Sequence, residues 1–234
     1  MKIYGFIFAR SGSKGIKNKN IKKFVNKPLI EHTFEFANRT KIFDKIFISS
    51  DSEKIRNLGK KYGIFPILRP RSLAQDNSNE WQSWEHAINI LKKKNDNFDI
   101  FVSMPCTSPI KIKKDITSAI SKLNKKVDIV LTASETTRHP KFNMIKLNKF
   151  GYAKIYQKTK KKYFRRQDLD KIYNLTTIAY VCRPEYILNN TNIFDGKVKI
   201  NVIPEFRSTD IDNLFDFKIA EYLFKKFKNQ WKKK

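Results

Sequence analysis

Short runs of β-branched and aromatic residues alternate along the chain with longer amphipathic stretches. This alternation predicts an α/β fold in which helices cover a largely parallel sheet. Strands are predicted at 3–8, 45–48, 65–68, 100–103, 128–132, 178–182 and 198–203, and helices at 29–38, 53–62, 80–93, 112–123 and 215–227. In the last helix Phe217, Ala220, Leu223, Phe224 and Phe227 recur at helical spacing and are expected to face the core. The pattern breaks over residues 134–172, where Gly151 lies between hairpin-like runs and a cluster of charge follows at 158–166. That segment is expected to leave the main sheet as a lid or a dimer contact. A single domain over residues 1–228 is expected, with a Lys-rich tail at 229–234 read as a frayed, disordered end.

At 234 residues, with 40% hydrophobic and 13% aromatic positions, the chain is long and apolar enough to bury a substantial core. No run of 18 apolar residues is present, and the opening strand leads straight into a polar glycine turn without a cleavage signal. A cytoplasmic location without membrane contact is the expectation. Cys106 and Cys182 are far apart and read as ordinary reduced thiols; His32, His86 and His139 are equally scattered, so no zinc site is expected. The net charge of +27 is carried by lysines spread along the chain, for example at 92–94 and 160–162. A solvated basic surface is the plainer reading, and a nucleic-acid site would need exposed aromatics among the lysines. The aromatics are expected mostly in strand and helix cores.

Three places carry candidate chemistry. Directly after the first strand comes Ala9-Arg10-Ser11-Gly12-Ser13-Lys14-Gly15. Successive amides in such a turn form an anion-binding concavity; Arg10 adds a fork of donors, and Lys14 and Lys19 add compact charges. A loop at the carboxyl end of a strand is where open α/β sheets bind ligands. It matches neither the Walker A pattern nor G-x-G-x-x-G, so a plain connection stays possible at this level. The second place is Ser208-Thr209-Asp210-Ile211-Asp212, ahead of the last helix. In an extended segment Asp210 and Asp212 point the same way, and two close carboxylates call for a cation such as Mg²⁺. A helix N-cap explains Asp212 equally well and leaves Asp210 without a role. The third is Pro105-Cys106-Thr107-Ser108-Pro109, a rigid loop with hydroxyls at a strand end, or simply a turn.

Taken together and in order, ARSGSKGIKNKNI at 9–21, NKPLIEHT at 26–33, ISSD at 48–51, LRP at 68–70, TSP at 107–109 and STDIDNLFDFKIAE at 208–221 resemble the acylneuraminate cytidylyltransferases. That family includes the CMP-sialic acid synthetases and relatives acting on legionaminic or pseudaminic acid. The resemblance spans nearly the whole chain, and the first block is its most specific part. It implies a Rossmann-like nucleotidyltransferase fold, a homodimer with a protruding segment that contacts the partner's active site, CTP and an acidic 2-keto sugar as substrates, and Mg²⁺. By motif, Arg10, Ser13 and Lys19 match triphosphate-binding positions, with Asn20 beside them. Arg69 and Ser78 match positions that hold the cytidine, and Asp210 and Asp212 match the metal carboxylates. The nucleotide site is therefore expected to draw on Ala9, Arg10, Ser11, Gly12, Ser13, Lys14, Lys19, Asn20, Arg69, Ser78 and Thr107. Arg10, Lys19 and Asp212 are the expected catalytic residues.

The chain also departs from the family pattern. Relatives usually read Gln-Pro-Thr-Ser-Pro where Pro105-Cys106-Thr107-Ser108-Pro109 stands, which removes an amide contact to the nucleotide. Lys17 replaces a common proline. Past Arg166-Gln167-Asp168-Leu169, where the family has an Arg for the sugar carboxylate, this chain has Asn174. Arg165, Arg166, Gln167 and Asn174 are the candidates for sugar binding. A 3-deoxy-octulosonate (KDO) type of cytidylyltransferase is the main alternative, but its first loop usually reads Ser-Thr-Arg. A basic nucleic-acid-binding module is the alternative outside enzymes.

Overall fold

A computed structural model describes residues 1–161 and 163–227. The expected tail and Lys162 lie outside the described residues. In chain order the strands are β1 (Ile3–Phe8), β2 (Lys23–Phe24), β3 (Lys27–Pro28), β4 (Lys45–Ser50), β5 (Phe65–Leu68), β6 (Ile100–Ser103), β7 (Ile129–Glu135), β8 (Ile145–Leu147), β9 (Ala153–Ile155), β10 (Tyr173–Cys182) and β11 (Val198–Val202). The helices are α1 (Leu29–Thr40), α2 (Glu53–Lys61), α3 (Glu80–Lys93), α4 (Lys113–Lys122), α5 (Pro184–Asn189) and α6 (Leu214–Lys226). The main sheet runs β11-β7-β10-β6-β1-β4-β5. Within it β10 alone runs antiparallel to its neighbours.

The period-two alternation of the strands sorts their side chains onto two faces. Tyr4 and Phe6 of β1, Phe47 of β4 and Phe101 of β6 join Trp81 and Trp84 of α3 and Ile187 of α5. Ile7, Ile48 and Val102 from the same strands pack against Phe34 of α1, Ile55 of α2 and Ile116 of α4. Burial on both faces explains why these strands read as continuous apolar runs. A third cluster gathers Ile16, Phe24, Leu29, Ile211, Phe217 and Ala220. It ties the glycine loop, the segment before α6 and α6 itself into one unit.

The strand at 178–182 is longer than its apolar run, beginning at Tyr173. Its pairing with β7 slips between Thr176 and Tyr180. Thr132 fills the gap: its single hydroxyl proton lies between the carbonyls of Thr176 (3.0 Å) and Ala179 (3.1 Å), and the oxygen accepts from the Ala179 amide at 3.1 Å. The short helix α5 has no amphipathic run long enough to predict it.

Between β7 and β10 the chain leaves the sheet, and β8 and β9 pair only with each other. Ile145, Leu147, Phe150, Tyr152, Tyr156 and Phe164 of this arm are exposed. So are Phe215 and Tyr222 of α6. The expectation that aromatics sit mostly in cores therefore holds for β1, β4 and β6 and fails for the arm, the outer face of α6, Phe65 of β5 and Tyr173 of β10. The arm is too short to enclose its own apolar residues. No helix among the described residues is long and apolar enough to cross a membrane.

Candidate active site

Four strand ends converge on one cleft of about 500 Å³. The loop after β1 supplies Arg10, Gly12, Ser13, Lys14, Gly15, Lys19 and Asn20; the segment after β5 supplies Arg69, Gln75, Asp76, Ser78 and Glu80. Thr107 follows β6, and Asp210 and Asp212 follow β11. All of these strands present their carboxyl ends here, as open α/β sheets do at ligand sites.

The loop after β1 is held from several sides. The Ser11 amide and hydroxyl both donate to Asp51, at 2.9 and 2.5 Å. Burial pushes the Asp51 carboxyl upward, but these Ser11 bonds outweigh it, leaving the carboxyl below its usual range. Ser13 accepts from the Lys19 amide at 3.2 Å, and the Asn20 side chain donates to the Arg10 carbonyl at 3.1 Å. Ala9 is buried, with its amide on the Ser49 carbonyl. Ala9 and Ser11 thus shape the loop without lining the cleft, and Asn20 lines it while bracing Arg10.

Arg10 and Lys14 converge on Asp76, at 2.5 and 3.2 Å. The Arg10 hydrogen bond, followed by that of Lys14, holds the Asp76 carboxyl below the usual range. Two cations turned toward one carboxylate form a site with affinity for an anion. Lys19 reaches across the cleft, donating to the Ile211 carbonyl and lying 3.5 Å from Asp212 Oδ1.

The stretch that follows the short helical turn 205–207 places Ile211 in the core with its amide on the Thr107 carbonyl at 3.0 Å. Asp210 and Asp212 therefore both face the cleft. The capping role belongs to Asn213, whose side chain accepts from Phe215 and Asp216 amides. Asp212 is left free of that duty, and Asp210 Oδ1 is buried without a hydrogen-bond partner. An orphaned carboxylate oxygen beside a second carboxylate suits a hard divalent cation. Among the described residues no cluster of three or more His, Cys, Asp or Glu side chains exists to hold a metal alone. A cation here would complete its shell from a ligand or water.

Arg69 is buried, donating to the Ser49 hydroxyl (3.2 Å) and carbonyl (2.8 Å), with its guanidinium 5.5 Å from the Phe8 ring centroid. Burial lowers its pKa to about 10. Ser78 lines the cleft, but its hydroxyl closes a turn, accepting from the Gln75 amide and donating to the Ser72 carbonyl, each at 2.9 Å. Thr107 and Ser108 meet the Thr177 hydroxyl at 3.4 and 2.6 Å. Beneath this loop the buried Lys111 ammonium donates to the carbonyls of Pro105 (2.7 Å) and Ser108.

The structure does not bring the four sugar-site candidates into the cleft. Arg165 pairs with Asp168 on the arm at 3.4 Å. Arg166 lines a separate hollow with Glu135, Thr136 and Pro204. Gln167 lies in the same short helical turn, 166–168, and Asn174 is exposed opposite Ser134. Asn174 lies on the arm side of β10, and the strand reaches the cleft three residues later, at Thr177. Sequence reasoning also passed over Gln75, Asp76, Glu80 and Thr177, all of which line the cleft. Asp76 could have been sought as the missing counter-charge to Arg10; nothing in the local pattern marks the others.

A cation-bearing loop faces a carboxylate pair across the strand ends of an α/β sheet, an arrangement that fits a nucleotidyltransferase. The chain belongs to the cytidylyltransferase family, whose model matches residues 4–233. It is 32% identical over 227 residues to a pseudaminic acid cytidylyltransferase of Campylobacter jejuni, covering 96% of this chain and 97% of that one. It is 30% identical over 220 residues to the CMP-N,N'-diacetyllegionaminic acid synthase of Campylobacter jejuni, covering 93% of this chain and 92% of the other. Among solved structures, the CMP:2-keto-3-deoxy-manno-octonic acid synthetase complexed with CTP superposes with a TM-score of 0.72 at 13% identity, covering 97% of this chain and 99% of that chain. At that identity the likeness establishes the fold.

Proposed function

We propose that this protein transfers CMP from CTP to the anomeric hydroxyl of an acidic 2-keto sugar, an N-acylneuraminate or related nonulosonic acid, releasing pyrophosphate. The observation that carries this reading is the opposition, across one cleft, of Arg10, Lys14 and Lys19 to Asp210 and Asp212. Relatives named for pseudaminic and legionaminic acid support the acceptor class. A KDO-type transferase is the alternative, and Ser13-Lys14-Gly15 in place of Ser-Thr-Arg weighs against it. Neither a nucleic acid nor a membrane is a partner in this reading.

In this reaction the acceptor's hydroxyl oxygen bonds to the α-phosphorus and gives up its proton to a cleft carboxylate or to water, while the bond from that phosphorus to the bridging oxygen breaks and pyrophosphate leaves. Arg10 and Lys14 exchange Asp76 for the triphosphate, and with Lys19 they offset the charge that gathers on the departing pyrophosphate. Gly12 and Ser13, which also line the cleft, would add backbone amides to the same oxygens. Arg69 and the wall at Ser78 receive the cytidine. Asp210 and Asp212 would hold magnesium, which supplies neutralising charge to the phosphates. Thr107 and Thr177, in contact at 3.4 Å, are left to face the acceptor in this reading.

The reading includes a homodimer. A two-stranded ribbon with exposed apolar residues is marginal alone, and a second copy would cover it. Arg165, Arg166 and Gln167 would then act on the acceptor in the partner's cleft. Two buried free thiols fit a cytoplasmic setting.

The test is to incubate the protein with CTP, Mg²⁺ and, separately, N-acetylneuraminic, legionaminic, pseudaminic and 3-deoxy-octulosonic acids, and to weigh the products. A CMP conjugate of a nonulosonic acid is expected. A conjugate of the octulosonic acid alone would move the assignment to the alternative.

A further inference from the structure

The two walls of the cleft differ in chemistry. The loop after β1 and the 208–212 segment carry the cations and the carboxylate pair. The other wall, residues 69–83 with Phe8, carries Leu73, Arg69, Gln75, Ser78, Glu80 and Ser83. This second wall offers apolar surface, Phe8 and Leu73, beside polar edges, which is what a flat heterocycle requires. Three of the carboxylates at the cleft are already engaged. Asp76 faces Arg10 and Lys14, and Asp210 and Asp212 form the cation pair.

Glu80 remains. It is the first residue of α3, held by the Asn79 cap, and the Trp84 indole N–H donates to its Oε1 at 3.2 Å. That bond fixes the carboxyl plane, while Oε2 takes no hydrogen bond among the described residues. The side chain is open to the cleft's water, yet protein surrounds it on the other sides. This enclosure raises its pKa and the Asp210 charge adds to the rise, while the Trp84 bond and the Arg69 charge act against it. An ionised carboxylate only accepts hydrogen bonds.

We infer that Glu80 reads the exocyclic amine of the cytosine ring and so selects CTP over UTP. The inference rests on the reading that this cleft holds CTP. Cytosine carries an amine donor at C4 where uracil carries an acceptor oxygen. An accept-only oxygen pairs with the first and is repelled by the second. Arg69 cannot pair with the amine, because it only donates; its Nε and Nη2 are committed to Ser49, and a bond from it to the ring oxygen at C2 would be common to both bases. A site built around one polar edge discriminates because the wrong base leaves buried groups unpaired.

The experiment is calorimetric binding of CTP and UTP, each with Mg²⁺, to the full chain and to Glu80→Gln. Glutamine keeps an acceptor for Trp84 and can turn either its oxygen or its amine toward the ring. The unchanged protein is expected to prefer CTP by at least ~10-fold, and Glu80→Gln to shrink that ratio by at least ~10-fold, with UTP gaining. Glu80→Asp, still accept-only, is expected to bind both nucleotides more weakly while keeping the preference for CTP. An unchanged ratio in Glu80→Gln, or equal losses for both nucleotides, would overturn the inference and leave the transferase reading standing. An unaltered protein that binds neither nucleotide would overturn both.

Discussion

Gly15 lies flat against the backbone of Asp212, so closely that a Cβ on Gly15 would overlap the Asp212 carbonyl oxygen. Two segments almost two hundred residues apart in sequence are thereby locked together, and Lys19 on the Ile211 carbonyl adds a second tie. Gly15 is needed for this approach and not for an unusual backbone angle. Gly15→Ala should cost about 1–3 kcal/mol of stability, the usual range for overpacking. It should also lower turnover at least ~10-fold, because the carboxylate pair shifts away from the loop. Urea unfolding and steady-state kinetics on the same preparation check both; a fully active variant would show that the two segments are not coupled.

Arg10 stands between two anions, the resident Asp76 and the incoming triphosphate. Arg10→Ala should raise the KM for CTP by at least ~10-fold, the value of one good charge-assisted contact. Asp76 should titrate closer to its ordinary 3.8 in that variant, since Arg10 is the largest influence lowering it. NMR titration of the carboxyl carbons reads the second effect independently of activity.

Lys111 is 3% exposed, and burial lowers its pKa from 10.5 to about 8. Because the folded value lies below the unfolded one, the unfolded chain holds the extra proton between those values. Stability contributed at this residue should therefore rise as pH climbs from about 8 toward 10.5. The gain is on the order of 3 kcal/mol at most. Unfolding of the protein and of Lys111→Met at pH 7.5 and pH 10 isolates the effect as a change in their difference. A constant difference would mean that the ammonium is not penalised where it sits.

The arm offers a test of assembly. Leu147→Asp places a charge in the middle of the exposed ribbon and removes nothing from the central core. Sedimentation should show the unchanged protein as a dimer and the variant as a monomer, with the monomer's melting temperature close to that of a sheet left intact.

Where the sequence was legible, one physical reason recurs. Strands at 3–8, 65–68 and 100–103 and the helix at 80–93 coincide with the observed elements, because local hydrophobic period and burial agree there. The loop after β1 and the 208–212 pair were visible because each concentrates chemistry within a few consecutive residues. The strand at 178–182 was drawn too short because its first half, Tyr173 to Thr177, is mostly polar and is kept in the sheet by the Thr132 hydroxyl from another strand. Glu80 and Thr177 went unseen for the same reason: each gains its place only when distant strand ends meet. Asp212 shows the converse. Its two sequence readings, cap or ligand, were separated only by seeing Asn213 take the cap.

The central claim is that one cleft brings CTP, a divalent cation and a sugar acid together through Asp210 and Asp212. The measurement that tests it most directly is acid-dependent pyrophosphate release from CTP, with and without EDTA, by the protein and by Asp212→Asn. The account predicts release that needs both CTP and a nonulosonic acid, stops with EDTA, and falls by at least ~100-fold in Asp212→Asn while the fold is kept. Release that persists with EDTA, or near-normal turnover by Asp212→Asn, would contradict it.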